Sequence, residues 1–365
     1  MRTLLLEVYD FSVLTRGIHD YLLGRMSPAG AMITEMVIVA LCFMGFFAFA
    51  GLSLVYLERK VCAIIQLRLG PMRVGKWGTA QTVADIIKLL FKEPLINKDA
   101  DRLLFNLAPF IIMIGAFMAI AAMPFAKGLQ ALDFDIGILY VSAVSSLGVI
   151  GILLAGWSSN NKYSLIGAMR SGAQIISYEL SVGLSLLTIV VLTGSLQLST
   201  IVQSQADGWW IFKGHIPAAI AFLIFMIAST AETNRGPFDL AEAESELTAG
   251  FHTEYSGLKF AFFFLGEYIN MVIVCGIGAT VFLGGWMPLH IGGWEGFNNA
   301  MDFIPPLVWW FGKTGFLIFL MMWFRWTFPR LRIDQLLTLE WKYLLPISLV
   351  NLTFMSFLAL MEWHF

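Results

Sequence analysis

Residues 33–57 read ITEMVIVALCFMGFFAFAGLSLVYL and are followed at once by Glu58, Arg59 and Lys60. A helix needs roughly 20 mainly apolar residues to cross a hydrocarbon layer about 30 Å thick, and this run has that character. Backbone groups in lipid find no water, so a helix that satisfies its own N–H and C=O groups is the form expected. Seven further windows read the same way: 103–125, 136–157, 178–197, 215–231, 260–283, 305–325 and 343–361. The expected fold class is an all-α integral membrane protein with about eight transmembrane helices, amphipathic interfacial helices and long cytoplasmic loops.

Composition agrees. Apolar residues make up 58% of the 365 and charged residues 13%, about half the charge of an average soluble chain, and the mean hydropathy is +0.76. The 31 Phe, 18 Met and 12 Trp suit lipid-facing and interfacial positions. A formal net charge of −2 gives no electrostatic case for a nucleic-acid partner. Cys42, Cys62 and Cys275 are far apart and form no Cys-x-x-Cys pair, so neither an iron–sulfur cluster nor a disulfide framework is expected. The five histidines show no haem-ligand spacing. The chain is expected to bind no redox centre, leaving electron transfer to partners.

Residues 1–31 lack the pattern of a secretory leader, and Glu7, Asp10 and Asp20 argue against a transit peptide. They are expected to form a short amphipathic segment at the interface. The chain is expected to be one polytopic membrane domain. Alternate crossing places 17 Lys and Arg residues on one side, five on the other, and Lys313 within a span. The basic side is the cytoplasmic one by the positive-inside rule, so both termini are expected outside, on the periplasmic face of a bacterial inner membrane. No internal repeat is evident, which counts against a secondary transporter built from two similar halves.

The long polar connections lie on the basic side. Residues 58–101 read ERKVCAIIQLRLGPMRVGKWGTAQTVADIIKLLFKEPLINKDAD. Gly70-Pro71, Gly75 and Gly78 punctuate a loop; beyond it Val83, Ile86, Ile87, Leu90 and Phe91 fall at helical spacing, with Asp85, Lys88 and Lys92 off that stripe. This predicts a helix lying in the interface. From the pattern alone simple anchoring at the membrane surface is the first reading; framing the entry of an amphipathic, lipid-soluble substrate is the functional one.

Residues 232–257 form an acidic loop. From Glu232 to Glu254 the chain holds Glu232, Asp239, Glu242, Glu244, Glu246 and Glu254 with Arg235 among them. Such a run is ordinarily a solvated surface. Here it abuts a span, and Gly236-Pro237 turns the chain back toward the membrane. Carboxylates crowded in a partly desolvated cavity share protons near neutral pH, which is the chemistry of a proton relay. Glu179, beside Tyr178 at the start of the fourth window, and Glu267, inside the sixth, are acids within spans. An intramembrane charge costs roughly 2.5–3.5 kcal/mol on insertion scales and often marks an ion path; a protonated carboxyl bonding a neighbouring helix is the structural alternative. Lys313 is expected either to partner an acid or to contact another subunit.

ERKVCAIIQLRLGP with QTVADIIKLLFKE, then GAMRSGAQIISYE (167–179), AETNRGPFDLAEAESELTAGF (231–251) and RWTFPRLRIDQLLTLEWKYLLP (325–346) resemble the signature of one family. It is the membrane subunit of NADH:quinone oxidoreductase (respiratory complex I), called the H subunit in bacteria and NADH dehydrogenase subunit 1 in mitochondria. The resemblance runs from about residue 33 to the C-terminus. It implies a quinone chamber around Arg59, Asp85, Lys88, Arg235, Phe238, Asp239 and Arg325. It also implies a proton path through Tyr178, Glu179, Glu232, Glu242, Glu244, Glu246 and Glu267. Ubiquinone or menaquinone would be the substrate, with FMN, NADH and iron–sulfur clusters on partner subunits. Those partners would be hydrophilic quinone-site subunits with the terminal cluster, small membrane subunits and antiporter-like subunits, in membrane lipid. Ala241 stands where the family usually has Pro, which frees a backbone N–H. A ferredoxin-fed or hydrogenase-type relative, and a stand-alone proton-coupled transporter, are the competing classes.

Overall fold

The caps mark where the helices begin. Asp10 accepts from the Ser12 N–H, Asp101 from those of Leu103 and Leu104, and Asn161 from that of Tyr163, each satisfying a donor that the first helical turn leaves unpaired. Ser27 followed by Pro28 opens the longest helix. The computed structural model describes residues 10–241, 244–291 and 294–361, without the side chains of Glu244 and Ser245.

Among the described residues ten helices build the frame: α1 (Phe11–Leu23), α2 (Pro28–Ile65), α3 (Gln81–Phe91), α4 (Arg102–Ala121), α5 (Gly137–Ser158), α6 (Lys162–Thr193), α7 (His215–Glu232), α8 (Leu258–Phe282), α9 (Pro306–Thr327) and α10 (Ile333–Leu360). All except α1 and α3 are long and apolar enough to span a bilayer, which makes eight. The described residues contain no strand, only a lone bridge between Ala126 and Leu129.

α8 is the centre of the bundle. From Met271 to Phe282 each of its residues is buried, as expected of a helix surrounded by other helices; it packs against α2, α4, α7 and α9. α6 is the second hub, against α5, α7 and α10. On the outer helices large apolar side chains remain exposed, such as Met36, Leu41, Met44 and Phe49 on α2. Lipid covers such a surface; water does not.

The four basic connections meet at one end. The Asp101 N–H donates to the Ser158 carbonyl, Asn161 donates to Glu254, the Leu95 N–H to Ser256, and Arg330 pairs with Asp239. At the other end the Phe11 N–H reaches the Lys127 carbonyl, the Ile138 N–H reaches Leu196, and His290 meets Ala206. Lys127 also pairs with Asp10 and holds that carboxyl down at about 2.

Four expectations need correction. The fourth span begins at Lys162, so Tyr178 and Glu179 sit in mid-helix and do not start it. The polar segment 162–177 is accommodated in a span because its buried Ser164, Ser171 and Gln174 side chains find hydrogen-bond partners at Gly250, Phe251, Asn234, Ala231 and Phe238. α2 continues to Ile65, and the eighth span starts at Ile333, passing through a π-turn at Glu340–Leu344. Among the described residues Lys313 pairs with no acid. Its ammonium donates to the Leu283, Gly285 and Met287 carbonyls at 2.5, 2.9 and 2.5 Å, with the Trp209 ring centroid 4.4 Å away. Those carbonyls lie in the turn that ends α8, where a cation is well placed.

Candidate functional site: a charged cluster joined to a polar cleft

On α2 the buried positions Phe47, Gly51, Leu54, Glu58 and Cys62 recur every three or four residues, one face of the helix. The acid in that apolar stripe points inward. Glu58 is 5% exposed and takes two arginines. Arg235 Nη1 lies 2.5 Å from Glu58 Oε2, and Arg325 Nη1 lies 2.6 Å from Oε1. Arg235 follows the end of α7, and Arg325 sits in the last turn of α9. Arg235 Nε reaches Glu267 Oε1 on α8 at 2.8 Å, and its guanidinium lies 4.3 Å from the Tyr268 ring centroid. The four charges form one chain, Arg325–Glu58–Arg235–Glu267.

Burying Arg235, itself 2% exposed, opposes its charge, but Glu267 and Glu58 outweigh that and hold its proton more tightly than usual. Charges taken out of water are tolerated only with partners; here each carboxylate and guanidinium has one. Glu58 was missed in the sequence because it adjoins Arg59 and Lys60 and reads as the polar end of a span. Its place in the 47–62 stripe was the available signal.

Beyond the cluster the chain opens on both sides. Toward the basic end, a pocket is lined by Gly236, Pro237, Asp239, Arg325, Trp326, Phe328 and Arg330. Arg330 Nη2 pairs with Asp239 Oδ2 at 2.9 Å. The buried Trp326 indole N–H has no acceptor among the described residues. Toward the membrane interior, a cleft lies among α4, α5, α6, α7 and α8. Glu232 and Glu267 line it with Ser145, Asn234, His252 and Asn270, and Glu179 lies within electrostatic reach of Glu232. Glu267 therefore belongs to both the cluster and the cleft.

Gln174 on α6 keeps the 231–238 turn in place, its amide donating to the Ala231 and Phe238 carbonyls, both at 2.7 Å. Phe238 is buried 5.7 Å from the Tyr178 ring. The Tyr178 hydroxyl donates to the Leu336 carbonyl at 3.0 Å. Gln174 was another residue that sequence reasoning passed over; an amide side chain in a span needs partners, and that was its signal.

The remaining expected residues are dispersed. Arg59 pairs with Asp85 at 2.5 Å and fastens α3 to the end of α2, with both side chains partly exposed. Lys88 is exposed on α3. Glu246 pairs with Arg170 at 2.6 Å and is half exposed, at the surface and outside the cleft. Glu242 and the Glu244 side chain lie outside the described residues. Ala241 is buried and lines the cleft. Among the described residues no three His, Cys, Asp or Glu side chains gather as metal ligands.

Residues 36–356 match the family model described as NADH dehydrogenase. The chain is 59% identical over 358 residues to the H subunit of NADH-quinone oxidoreductase from Bacteroides thetaiotaomicron, covering 98% of this chain and all of that one. It is 51% identical to the Geobacillus sp. protein of the same name, across 81% of this chain and 85% of the other. The Rickettsia canadensis protein of that name is 48% identical, across 85% and 89%.

Proposed function

The chain belongs to the NADH dehydrogenase family, and on that premise we propose that it works as the quinone-chamber membrane subunit of a proton-translocating NADH:quinone oxidoreductase. It houses the quinone headgroup and begins the path that couples quinone reduction to proton movement. One observation carries the reading. The pocket at Asp239, Arg325 and Arg330 connects through Glu58 and Arg235 to Glu267, which lines the cleft with Glu232.

The pocket's chemistry suits a quinone. Arginines and the unpaired Trp326 N–H offer donors to carbonyl oxygens, and Trp326 and Phe328 offer ring faces. Quinone is the substrate; ubiquinone and menaquinone both present these groups. Electrons would arrive from an iron–sulfur cluster on a hydrophilic partner, fed from NADH through FMN elsewhere in the complex. Small membrane subunits and antiporter-like subunits would complete the membrane arm.

Within this chain the work is electrostatic. Reduction places new negative charge beside Arg325 and Asp239 and consumes two protons. Arg325 turns partly from Glu58 to that charge, and Glu58 and Glu267 then compete differently for Arg235. Each shift changes how readily Glu267, Glu232 and Glu179 hold a proton. Moving one charge against 100 mV takes about 2.3 kcal/mol, which the redox step supplies. The basic end faces the cytoplasm of a bacterial inner membrane, with both termini in the periplasm.

The test uses membranes solubilised in mild detergent. The chain is expected to co-migrate on native electrophoresis with a band that oxidises NADH. In that complex Arg325→Gln is expected to lower quinone reduction by about tenfold or more, the scale of one lost charge-assisted hydrogen bond. NADH oxidation by a water-soluble acceptor at the hydrophilic arm should stay intact. Unchanged quinone reduction would refute the placement of the headgroup, and a free chain beside an active complex would refute the subunit assignment.

A further inference from the structure

A second polar seam runs through the bundle, between α6 and α10. Ser171, Gln174, Tyr178, Ser181, Ser185 and Thr188 are buried on α6 at alternating three- and four-residue steps, so they share one face. The buried positions of α10 are Leu336, Glu340, Leu344, Ser348, Asn351 and Met355, again one face. The two helices pack together. They meet where the Ser181 hydroxyl donates to Glu340 Oε1 at 2.5 Å.

Glu340 is fully buried, and its second oxygen, Oε2, has no partner among the described residues. Among the described residues it makes no ion pair. The titratable group facing it from α6 is Tyr178, whose hydroxyl is committed to the Leu336 carbonyl. Glu179, next in sequence, lies toward Glu232. On α10, Asp334 and Lys342 are exposed. α7 carries His215 and Glu232 only at its two ends. A carboxylate in this place would hold a buried charge on one hydroxyl donor and no cation, an arrangement that proteins avoid by protonating the acid. Glu340 also opens the π-turn of α10, a local loosening of the helix often found at functional positions.

The geometry points to Glu340 as a proton-exchange site within the membrane, on the α6–α10 seam and separate from the Glu232–Glu267 cleft. At rest Oε2 bears a proton and Oε1 accepts from Ser181. On release the Oε2–H bond breaks, the proton passes to a water molecule in the seam, and the charge left on the carboxyl is held by the Ser181 hydroxyl. Return of a proton restores the acid. The role in coupling rests on the function proposed above; the protonation itself does not.

Infrared difference spectra of the intact detergent-solubilised complex between acid and alkaline pH test the protonation. A protonated-carboxyl band present in the native complex is expected to vanish in Glu340→Gln, which keeps an oxygen for Ser181. The band is expected to shift in Ser181→Ala, a variant that reports on Glu340 even if the first fails to assemble. In sealed vesicles, Glu340→Gln is expected to lower the ratio of protons translocated to NADH oxidised. A carboxyl band untouched by both substitutions would overturn the proposal. So would loss of the band with an unaltered proton-to-NADH ratio, which leaves Glu340 a packing group. Absence of NADH-driven translocation by the native complex would instead remove the subunit assignment, while the spectra would still report whether Glu340 carries a proton.

Discussion

Arg235 and Arg59 are both arginines bonded to a carboxylate near the basic end, yet their burial sets them apart. Arg235 is 2% exposed between Glu58 and Glu267, whereas the Arg59 and Asp85 side chains are 43% and 32% exposed. Removing one member of a buried pair strands its partner and costs about 3–5 kcal/mol; an exposed pair contributes about 1 kcal/mol or less. Arg235→Gln is therefore expected to lower the thermal stability of the assembled complex sharply and to deplete it from membranes. Asp85→Asn should leave melting within error. Equal melting temperatures for the two variants would refute the ranking. Arg235 stood out in the sequence as the cation among six acids. Glu58, its partner, did not, because proximity to Arg59 and Lys60 in the chain says nothing about which way a helical side chain faces.

At the scale of elements, the connection from α2 to α3 shows how backbone shape supports the site. Gly78 has φ +77°, and a Cβ there would lie 2.1 Å from the Pro71 carbonyl oxygen. Only glycine combines that conformation with that approach. The loop is fastened to α2 by Tyr56 donating to the Trp77 carbonyl and Lys60 to the Pro71 carbonyl. Gly78→Ala is expected to pull the loop from α2 and raise its cleavage by added protease several-fold, the effect of about 1–3 kcal/mol of local strain; an unchanged cleavage rate would show that the loop absorbs the methyl. The glycines and the amphipathic stripe of α3 were legible beforehand. The start of α6 was not. A hydropathy window passes over a polar stretch such as 162–177, whose small and hydroxylated side chains are paired within the bundle.

For the whole molecule, 17 of 23 Lys and Arg residues fall on one side when the crossings alternate, and the connections that carry them meet at one end. A single cysteine introduced at Gln203, exposed at the opposite end, is expected to react with an impermeant thiol reagent in intact cells. One introduced at Arg73 should react only after permeabilisation. The reverse pattern would invert the topology and move the proposed quinone pocket to the wrong side for a cytoplasmic electron donor.

Span number, the expected sidedness and the motifs that carry the family were determined by the sequence alone, because hydropathy, charge bias and local residue patterns are properties of short segments read in order. The charged chain Arg325–Glu58–Arg235–Glu267, the joining of Glu232 and Glu267 at one cleft, and the approach of Glu179 to Glu232 were decided only by the tertiary structure. Their members lie on α2, α6, α7, α8 and α9 or just beyond. Which faces of those helices meet is set by packing across the bundle, and no local pattern encodes it. The same reason placed Glu246 at the surface with Arg170, although its sequence neighbourhood is as acidic as that of Glu232.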